Sequence, residues 1–93
     1  MFAIGVYDIS TLDAAGKKRL PKVMKTMRKY LHHSQKSVFE GEITEANLFK
    51  LQREIESLID KKEDYVVFFK IMGFNSMNRV NIGKDFDPTS NIL

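Results

Sequence analysis

Hydrophobic positions divide the chain into short segments whose spacing alternates between that of strands and that of helices. The first segment is the apolar run from Phe2 to Tyr7, which ends at the polar residues Asp8 and Ser10. An apolar run of this length with a polar stop is typical of a buried strand. The stretch from Thr11 to Gly16 is interpreted as a loop.

A helical stripe of apolar residues follows that loop. Its members are spaced i, i+3, i+4, i+7 and i+11, as on one face of a helix, and are Leu20, Val23, Met24, Met27 and Leu31. Pro21 is tolerated in the first turn of a helix, where its missing N–H leaves no hydrogen bond unmade. The pattern therefore predicts a helix from about Lys17 or Lys18 to about Leu31.

A second helix is predicted after a capping residue. Thr44 is a good N-cap, and Glu45 suits the positive end of a helix dipole. Lys50 and Glu54 lie one turn apart and can pair on the helix surface, in the weaker of the two orientations. The buried stripe of this helix is predicted to contain Leu48, Leu51, Ile55, Leu58 and Ile59.

Alternation of side chains between the two helices indicates strand structure from Gln35 to Ile43. Gly41 has no side chain to pack, so we expect it to mark a bulge or a sharp bend. The alternation leaves two interpretations open, namely two short strands or one bent strand.

The last part of the chain contains its most strand-like run. Tyr65 to Met72 (YVVFFKIM) is rich in β-branched and aromatic residues, which favour strands. It follows a charged loop at Asp60 to Asp64, and Asn75 to Ile82 is predicted to add one further short strand. We therefore expect one domain over residues 1–83 and a C-terminal tail over residues 84–93.

The predicted order of elements is the split βαβ pattern of an α+β, ferredoxin-like βαββαβ domain, here with an extra C-terminal strand. Two helices on one face of an antiparallel sheet leave its other face uncovered, and we expect Val66 and Phe68 on that uncovered face. An uncovered apolar face in a small domain indicates a partner. A homodimer packed through its sheets is the simplest solution.

Composition changes this picture little but excludes several classes of function. The 93 residues make one small domain, and 43% of them are hydrophobic and 29% charged, as in ordinary globular domains. The absence of cysteine excludes disulfides, thiolate metal sites and cysteine nucleophiles. No apolar run approaches the roughly 20 residues that cross a bilayer, and the first residues lack the basic region of a signal peptide. We therefore expect a cytoplasmic protein with no membrane partner.

Charge is segregated along the chain more strongly than the net charge of +3 suggests. No aspartate or glutamate occurs between Ala14 and Phe39, whereas the balance from Glu40 to Asp64 is acidic. Such asymmetry within one domain suggests an anionic partner. The residues predicted to contact nucleic acid are Lys17, Lys18, Arg19, Lys22, Lys25, Lys29 and Lys36.

Part of this set forms a basic stripe on the first predicted helix. The basic stripe consists of Lys18, Lys22, Lys25 and Lys29. At about 100° and 1.5 Å per residue, it occupies a narrow sector opposite the apolar stripe and is roughly 16 Å long. A solvated lysine face is common on amphipathic helices, but here the segment holds no acidic residue that could neutralise it. The basic stripe suits contact with phosphates, without readout of the bases.

Asp8 and the two histidines are the candidates for chemistry. Asp8 is the only carboxylate at the end of the first strand, which leaves two roles open. It closes the strand as an Asx-turn residue, or it is a metal ligand, although one carboxylate makes a poor metal site. His32 and His33 are adjacent and so face different directions. We expect them at surface or sheet-edge positions more than as a general acid or base.

Several stretches in order along the chain carry a family resemblance. They are VYDIS at residues 6–10, KKRLPKV at residues 17–23, QKSVFEGEIT at residues 35–44 and YVVFFKI at residues 65–71. Together they resemble the Cas-two family, the smaller of the two core CRISPR spacer-acquisition proteins. SVFEGE followed by a helix is the most specific of these features, and the resemblance runs from Phe2 to about Ile71.

The resemblance implies a ferredoxin-like homodimer whose sheets face each other. A last short strand, assigned to Arg79–Ile82, is then expected to pair with the partner's sheet. Such a dimer sits between two dimers of the larger Cas-one integrase and helps to hold the new spacer DNA. Some relatives are also described as metal-dependent nucleases that act on RNA or on duplex DNA.

The resemblance also assigns roles to individual residues. The family motif places its catalytic aspartate at Asp8. If the strand ends meet across the dimer axis, two Asp8 side chains could share one Mg²⁺ or Mn²⁺, since magnesium commonly takes one or two carboxylates and keeps several waters. The metal would activate water and neutralise the phosphate under attack. Lys17 and Arg19 match the paired basic positions at the start of the family's first helix, and Phe39 matches an aromatic position close to the aspartate.

Three hypotheses of function are compared. The first is a dimeric adaptor that binds duplex DNA without sequence preference and bridges Cas-one integrase dimers during spacer acquisition. The alternative is a metal-dependent endonuclease that cleaves RNA or duplex DNA, with Asp8 from both protomers holding the metal. A third hypothesis, a small-molecule regulatory domain on the same fold, has no glycine-rich or pocket motif in its favour.

Overall fold

The secondary structure follows the predicted order. A computed structural model describes residues 1–73, 78, 80, 82 and 83. Its elements are β1 (Phe2–Asp8), α1 (Ala14–Arg28), β2 (His32–Gln35), β3 (Val38–Glu42), α2 (Glu45–Leu58) and β4 (Tyr65–Ile71). The strands form one antiparallel sheet in the order β2-β3-β1-β4. The ferredoxin-like βαββαβ fold expected from the sequence is confirmed.

Both helices pack on one face of this sheet. Gly5, in the central strand β1, pairs with Phe39 of β3 on one side and with Phe68 of β4 on the other. A Cβ atom at Gly5 would come within 2.9 Å of the Phe68 ring and 3.3 Å of the Met27 methyl group. The missing side chain therefore gives the ring and α1 room to approach the strand.

The core lies between this face and the helices. Burying an aliphatic or aromatic side chain of average size contributes roughly 1.5–3 kcal/mol, and both helices and three strands or their flanking residues supply such side chains. The buried apolar residues are Ala3, Tyr7, Ile9, Val23, Met27, Leu31, Phe39, Ile43, Leu48, Leu51 and Ile55. The predicted apolar stripes of both helices thus form the core, with Leu20, Met24, Leu58 and Ile59 packed at its edge.

Helix α1 begins earlier than predicted. It starts at Ala14, and Asp13 caps it by accepting a hydrogen bond from the Gly16 backbone N–H at 2.8 Å. The predicted loop from Thr11 to Gly16 was therefore wrong for its second half. Pro21 consequently lies inside the helix, where it leaves the Lys17 carbonyl without its usual helical donor. The helix also ends at Arg28, short of the predicted Leu31.

The segment before α2 is a hairpin of β2 and β3. Strand structure was predicted only from Gln35 to Ile43, so β3 is confirmed, but β2 begins before the predicted segment. The turn of the hairpin is at Lys36 and Ser37, and its irregular register lies between His33 and Gln35. Gly41 pairs regularly with Ala3, so of the two expectations for this position, a bulge or a sharp bend, the bulge was wrong. At α2, the Thr44 side chain accepts from the Asn47 N–H at 3.1 Å, which confirms the predicted N-cap.

The other face of the sheet is not covered by either helix. Side chains of directly paired strand residues share a face, and Val66 and Phe68 pack against the core on the helix side. The prediction that Val66 and Phe68 lie on the uncovered face was therefore wrong. Their neighbours Val67 and Phe69 lie there instead, because successive residues of a strand face opposite sides of the sheet. The uncovered face carries three acidic residues, Asp8, Glu40 and Glu42. Its apolar residues are Phe2, Ile4, Val6, Val38, Tyr65, Val67, Phe69 and Ile71.

Two predictions concern the end of the chain. The extra strand from Asn75 to Ile82 and the tail from Lys84 to Leu93 lie outside the described residues, apart from isolated positions. Within the described part, neither helix is long and apolar enough to span a bilayer.

Candidate functional site

Asp8 is the last residue of β1 and is exposed. It pairs with Tyr65, the first residue of β4. The strand alternation sets its side chain on the same face as Ile4 and Val6, which is the uncovered face. Asp8 makes no hydrogen bond or ion pair with any described residue, so its carboxylate oxygens are available to a ligand.

One copy of the chain offers an incomplete metal site. The described residues contain no group of three or more histidine, aspartate or glutamate side chains that could hold a metal ion. A hard cation such as Mg²⁺ accepts one or two carboxylates and completes its shell with water. An exposed carboxylate with uncommitted oxygens fits this requirement, and a second copy would supply the second carboxylate.

The loop that follows Asp8 is anchored by Asp64. The Asp64 carboxylate accepts hydrogen bonds from the Ser10 backbone N–H at 3.0 Å and from Arg19 Nε at 2.8 Å. It also accepts from the Asp60 backbone N–H at 2.9 Å. Burial alone would raise the pKa of the Asp64 carboxyl, but the bonds from Arg19, Asp60 and Ser10 outweigh it and hold that pKa below its usual value. Asp64 is therefore a buried, ionised anchor.

The β2–β3 turn is fastened to the same end of β1. The Lys36 carbonyl accepts from the Tyr7 hydroxyl at 2.8 Å and from His33 Nε2 at 3.0 Å. The Tyr7 backbone N–H donates to the Ser37 carbonyl at 3.1 Å. Burial raises the pKa of the Tyr7 phenol, and the Arg28 charge opposes this only in part. The exposed Lys36 side chain thus starts from a fixed backbone near the end of the sheet that carries Asp8.

Neither histidine is placed as an acid or base beside Asp8. His33 stacks on Phe39, with ring centroids 4.4 Å apart and an interplanar angle of 10°. His32 pairs with Glu40 in the β2–β3 ladder, at the edge of the sheet opposite β4. Phe39 itself is fully buried in the core.

The predicted nucleic-acid residues fall into two groups. Lys17, Lys18, Lys22, Lys25 and Lys36 are exposed, and none of them pairs with a carboxylate in the described part of the chain. Lys29 pairs with Glu54 of α2, with Nζ and Oε1 at 2.8 Å. Arg19 pairs with Asp64, and its side chain is only 17% exposed.

Because Lys29 is paired, the unpaired part of the basic stripe contains only Lys18, Lys22 and Lys25. From Lys18 to Lys25 it spans roughly 10 Å of helix. Glu54 accepts hydrogen bonds from Lys29 and Tyr30, which lower the pKa of its carboxyl. Glu54 therefore bonds to Lys29 and Tyr30, rather than forming the predicted surface pair with Lys50.

The sequence did not predict that Asp64 pairs with Arg19 or that Glu54 pairs with Lys29. Asp64 and Arg19 are 45 positions apart in the sequence, and Glu54 and Lys29 are 25 apart. The first pair follows from the packing of α1 against the loop before β4, and the second from the packing of α1 against α2. Neither leaves a local pattern in the sequence. The absence of acidic residues within α1 was therefore no guide to whether its cations are paired.

Comparison with known proteins gives one consistent family. A family model described as CRISPR associated protein Cas2 matches residues 1–79. A CRISPR-associated endoribonuclease Cas2 of Moorella thermoacetica is 47% identical over 88 residues, which cover 95% of this chain and 97% of the relative. A protein of the same description from Dictyoglomus turgidum is 40% identical over 93 residues, covering both chains completely.

Solved structures agree with the sequence comparisons. The crystal structure of Streptococcus pyogenes Cas2 at pH 6.5 superposes with a TM-score of 0.76 at 33% identity, covering 90% of this chain and 100% of that one. A second crystal structure, described as cas2, gives a TM-score of 0.74 at 30% identity and covers 91% and 88% of the two chains.

Proposed function

The chain belongs to the Cas2 family of CRISPR-associated proteins, and from this premise we propose that it acts as a homodimer that binds nucleic acid during CRISPR spacer acquisition. The observation that carries the proposal is the uncovered sheet face. On it, Tyr65 and Phe69 are 61% and 53% exposed, beside further apolar side chains of β1 and β4. Burial of this face against a second copy would remove it from water.

The first activity proposed for this dimer is endonucleolytic cleavage of RNA. Relatives at 47% and 40% identity are described as endoribonucleases, and Asp8 lies on the face through which the two copies would pack. In a two-fold dimer any group near the axis is duplicated. The two Asp8 carboxylates would then lie on either side of the axis and act as one acidic site.

The residues around Asp8 fit the hydrolysis of a phosphodiester. A water oxygen attacks phosphorus, the bond from phosphorus to the leaving oxygen breaks, and the proton released by the water is balanced by protonation of that leaving oxygen. The Asp8 pair would hold a Mg²⁺ or Mn²⁺, which supplies Lewis acidity toward the phosphate and the water. Two exposed lysines would bind the flanking phosphates. Lys36 has its carbonyl bonded to Tyr7, and Lys17 follows Gly16, which packs on Ser10.

A cleavage assay on purified protein tests this activity. Wild type and an Asp8→Asn variant are incubated with single-stranded RNA and with duplex DNA, with Mg²⁺, with Mn²⁺ or with a chelator. We expect cleavage that needs both the metal and Asp8, while dimer mass and nucleic-acid affinity stay nearly unchanged in the variant. Equal cleavage by the variant would remove Asp8 from the mechanism and point to a contaminating nuclease.

A second function, favoured by a separate observation, is the adaptor role. Lys18, Lys22 and Lys25 form an exposed, unpaired row on α1. Two copies of this row in a dimer would suit the backbone of a duplex, because phosphate contacts position a protein without reading sequence. The dimer would then bridge two dimers of the Cas-one integrase on the DNA of a new spacer.

Reconstituted spacer integration tests the adaptor role. The wild type, the Asp8→Asn variant and a Lys18→Gln/Lys22→Gln/Lys25→Gln variant are each combined with the Cas-one integrase and a short duplex. We expect Asp8→Asn to support integration and the triple variant to lose it. Loss of integration in Asp8→Asn together with full activity of the triple variant would reverse this assignment.

A further inference from the structure

Asp64 is a buried charge that core packing does not explain. Its side chain is 0% exposed, and its partner Arg19 is 17% exposed. Removing two charges from water is costly, and replacement of such a pair by apolar residues is often neutral or even stabilising. The ion pair with Arg19 alone therefore gives little reason for a carboxylate at this position.

The Asp64 carboxylate joins three segments of the chain. Its Oδ1 accepts from the Ser10 backbone N–H at 3.0 Å and from Arg19 Nη2 at 3.3 Å. Its Oδ2 accepts from Arg19 Nε at 2.8 Å and from the Asp60 backbone N–H at 2.9 Å. The loop after β1, helix α1 and the loop before β4 are thereby held in one arrangement.

Ser10 is also fixed from its carbonyl side. A Cβ atom at Gly16 would lie only 1.8 Å from the Ser10 carbonyl oxygen, so the first turn of α1 packs directly on that carbonyl. The Gly16 N–H is itself held by the Asp13 cap at 2.8 Å. Ser10 is therefore held between the Asp64 carboxylate on one side and α1 on the other.

Asp8 lies between two points that Asp64 fixes. Ser10 follows Asp8 by two residues, and Tyr65, which follows Asp64 directly, is the strand partner of Asp8. Asp8 makes no hydrogen bond of its own to a described residue, so the direction of its side chain depends on the backbone that carries it. A shift of the Ser10 loop would turn the carboxylate of each protomer.

We infer that Asp64, paired with Arg19, is a positioning residue that aims the Asp8 carboxylate at the metal, an inference that rests on the nuclease function proposed above. Groups that orient metal ligands from outside the coordination shell typically change metal affinity or activity by about 10–100-fold when they are mutated. A misplacement of about 1 Å in a catalytic group can cost about 100-fold in rate.

The test uses a double variant, Arg19→Met/Asp64→Leu. It removes both buried charges together, so no unpaired charge is left to unfold the protein, but the Ser10 and Asp60 backbone N–H groups lose their acceptor. The matched control is Tyr30→Phe, which removes a 2.6 Å hydrogen bond to Glu54 and leaves the Ser10 loop untouched. Each variant is measured for dimer mass, Mn²⁺ affinity, and kcat and KM on RNA.

We expect the double variant to remain a folded dimer. Its kcat and its Mn²⁺ affinity should each fall by about 10–100-fold, while Tyr30→Phe keeps both at the wild-type level. A folded double variant with wild-type kcat and Mn²⁺ affinity overturns the inference. If the double variant does not fold, Asp64→Asn is judged by the same two quantities.

Failure of the nuclease proposal gives a different result. In that case Asp8→Asn leaves cleavage unchanged, and the backbone amide resonance of Asp8 in wild type and the double variant decides the positioning role. A resonance that moves in the double variant but not in Tyr30→Phe supports control of the Asp8 backbone by Asp64. An unmoved resonance contradicts it.

Discussion

Asp8 lies directly opposite Tyr65 in the β1–β4 ladder, on the sheet face that neither helix covers. Tyr65 is 61% exposed in a single copy of the chain, although burial of an aromatic ring of this size is favourable. The candidate catalytic carboxylate and the candidate dimer interface therefore share one surface. Any change that separates the two copies should also dismantle the acidic site.

The first prediction concerns the uncovered face. Phe69→Lys should dissociate the dimer, because it sets a charge among apolar side chains where it would have to be desolvated. Light scattering at micromolar concentration should give the mass of one chain for the variant and of two chains for wild type. The control is Phe49→Lys on α2, since Phe49 is as exposed, at 60% against 53% for Phe69, but lies away from the sheet face. Dimers in both variants would exclude this face as the interface.

The second prediction concerns the metal. If two Asp8 carboxylates share one ion, calorimetric titration with Mn²⁺ should reach half an equivalent per chain. Asp8→Asn should abolish this binding, because an amide oxygen carries no charge to attract a hard cation. Chelation of the metal should stop RNA cleavage in wild type while the dimer mass stays the same. One full equivalent per chain would show that each copy holds its own ion.

The third prediction concerns the unpaired row on α1. Lys18→Gln/Lys22→Gln/Lys25→Gln keeps helix propensity and removes three charges per protomer. Each lost phosphate contact should lower the slope of log affinity against log salt by about 0.9 for a duplex. If half of the removed charges touch DNA, the slope should fall by about 3, and equally for unrelated sequences. Removal of Lys50, Lys61 and Lys62 instead, which are exposed away from α1, should leave the slope unchanged.

The fourth prediction separates Lys29 from that row. Lys29 is held by Glu54 at 2.8 Å, so Lys29→Gln alone should change the salt slope little. Glu54→Gln should release the Lys29 ammonium and increase duplex affinity at low salt. A fall in slope for Lys29→Gln as large as for Lys22→Gln would show that the ion pair opens when DNA binds.

The fifth prediction follows from the lowered pKa of the Asp64 carboxyl. In the unfolded chain this carboxyl titrates near 3.8, and in the folded chain it titrates lower. The contribution of Asp64 to the free energy of unfolding is therefore complete above the unfolded value and is lost as pH falls through the folded one. Denaturant unfolding of wild type and Asp64→Asn should differ by about 2 kcal/mol near neutral pH, and the difference should shrink below about pH 4. A difference that is constant with pH would mean that folding leaves the pKa of the Asp64 carboxyl unchanged.

Local patterns in the sequence predicted the order of elements, because β1, α2 and β4 have strong apolar periodicity or strand composition. They did not predict β2, since His32, His33, Ser34 and Gln35 offer no apolar alternation. They did not predict the first turn of α1 either, although Asp13 followed by two alanines is a plausible cap that a search for apolar residues overlooks.

The exposed face of the sheet was the harder feature to predict. β4 is apolar at most positions on both faces, so its composition could not decide whether Val66 and Phe68 or Val67 and Phe69 face the helices. The register with β1 decides it, because Gly5 pairs with Phe68 and opens the helix side to the ring. Asp8 could be singled out from the sequence as a lone carboxylate at a strand end, but Asp64 could not, because its partners come from distant segments.

Cross-linking of a single engineered cysteine tests most directly whether two copies meet at Asp8. The chain contains no cysteine, so each variant carries one thiol. Asp8→Cys places it on the uncovered face, and Ser57→Cys places it on the exposed side of α2. With a short bifunctional maleimide at micromolar protein, we expect covalent dimers from Asp8→Cys and only monomers from Ser57→Cys. Covalent dimers from Ser57→Cys alone, or from neither variant, would contradict a dimer that packs through this face and pairs the two Asp8 side chains.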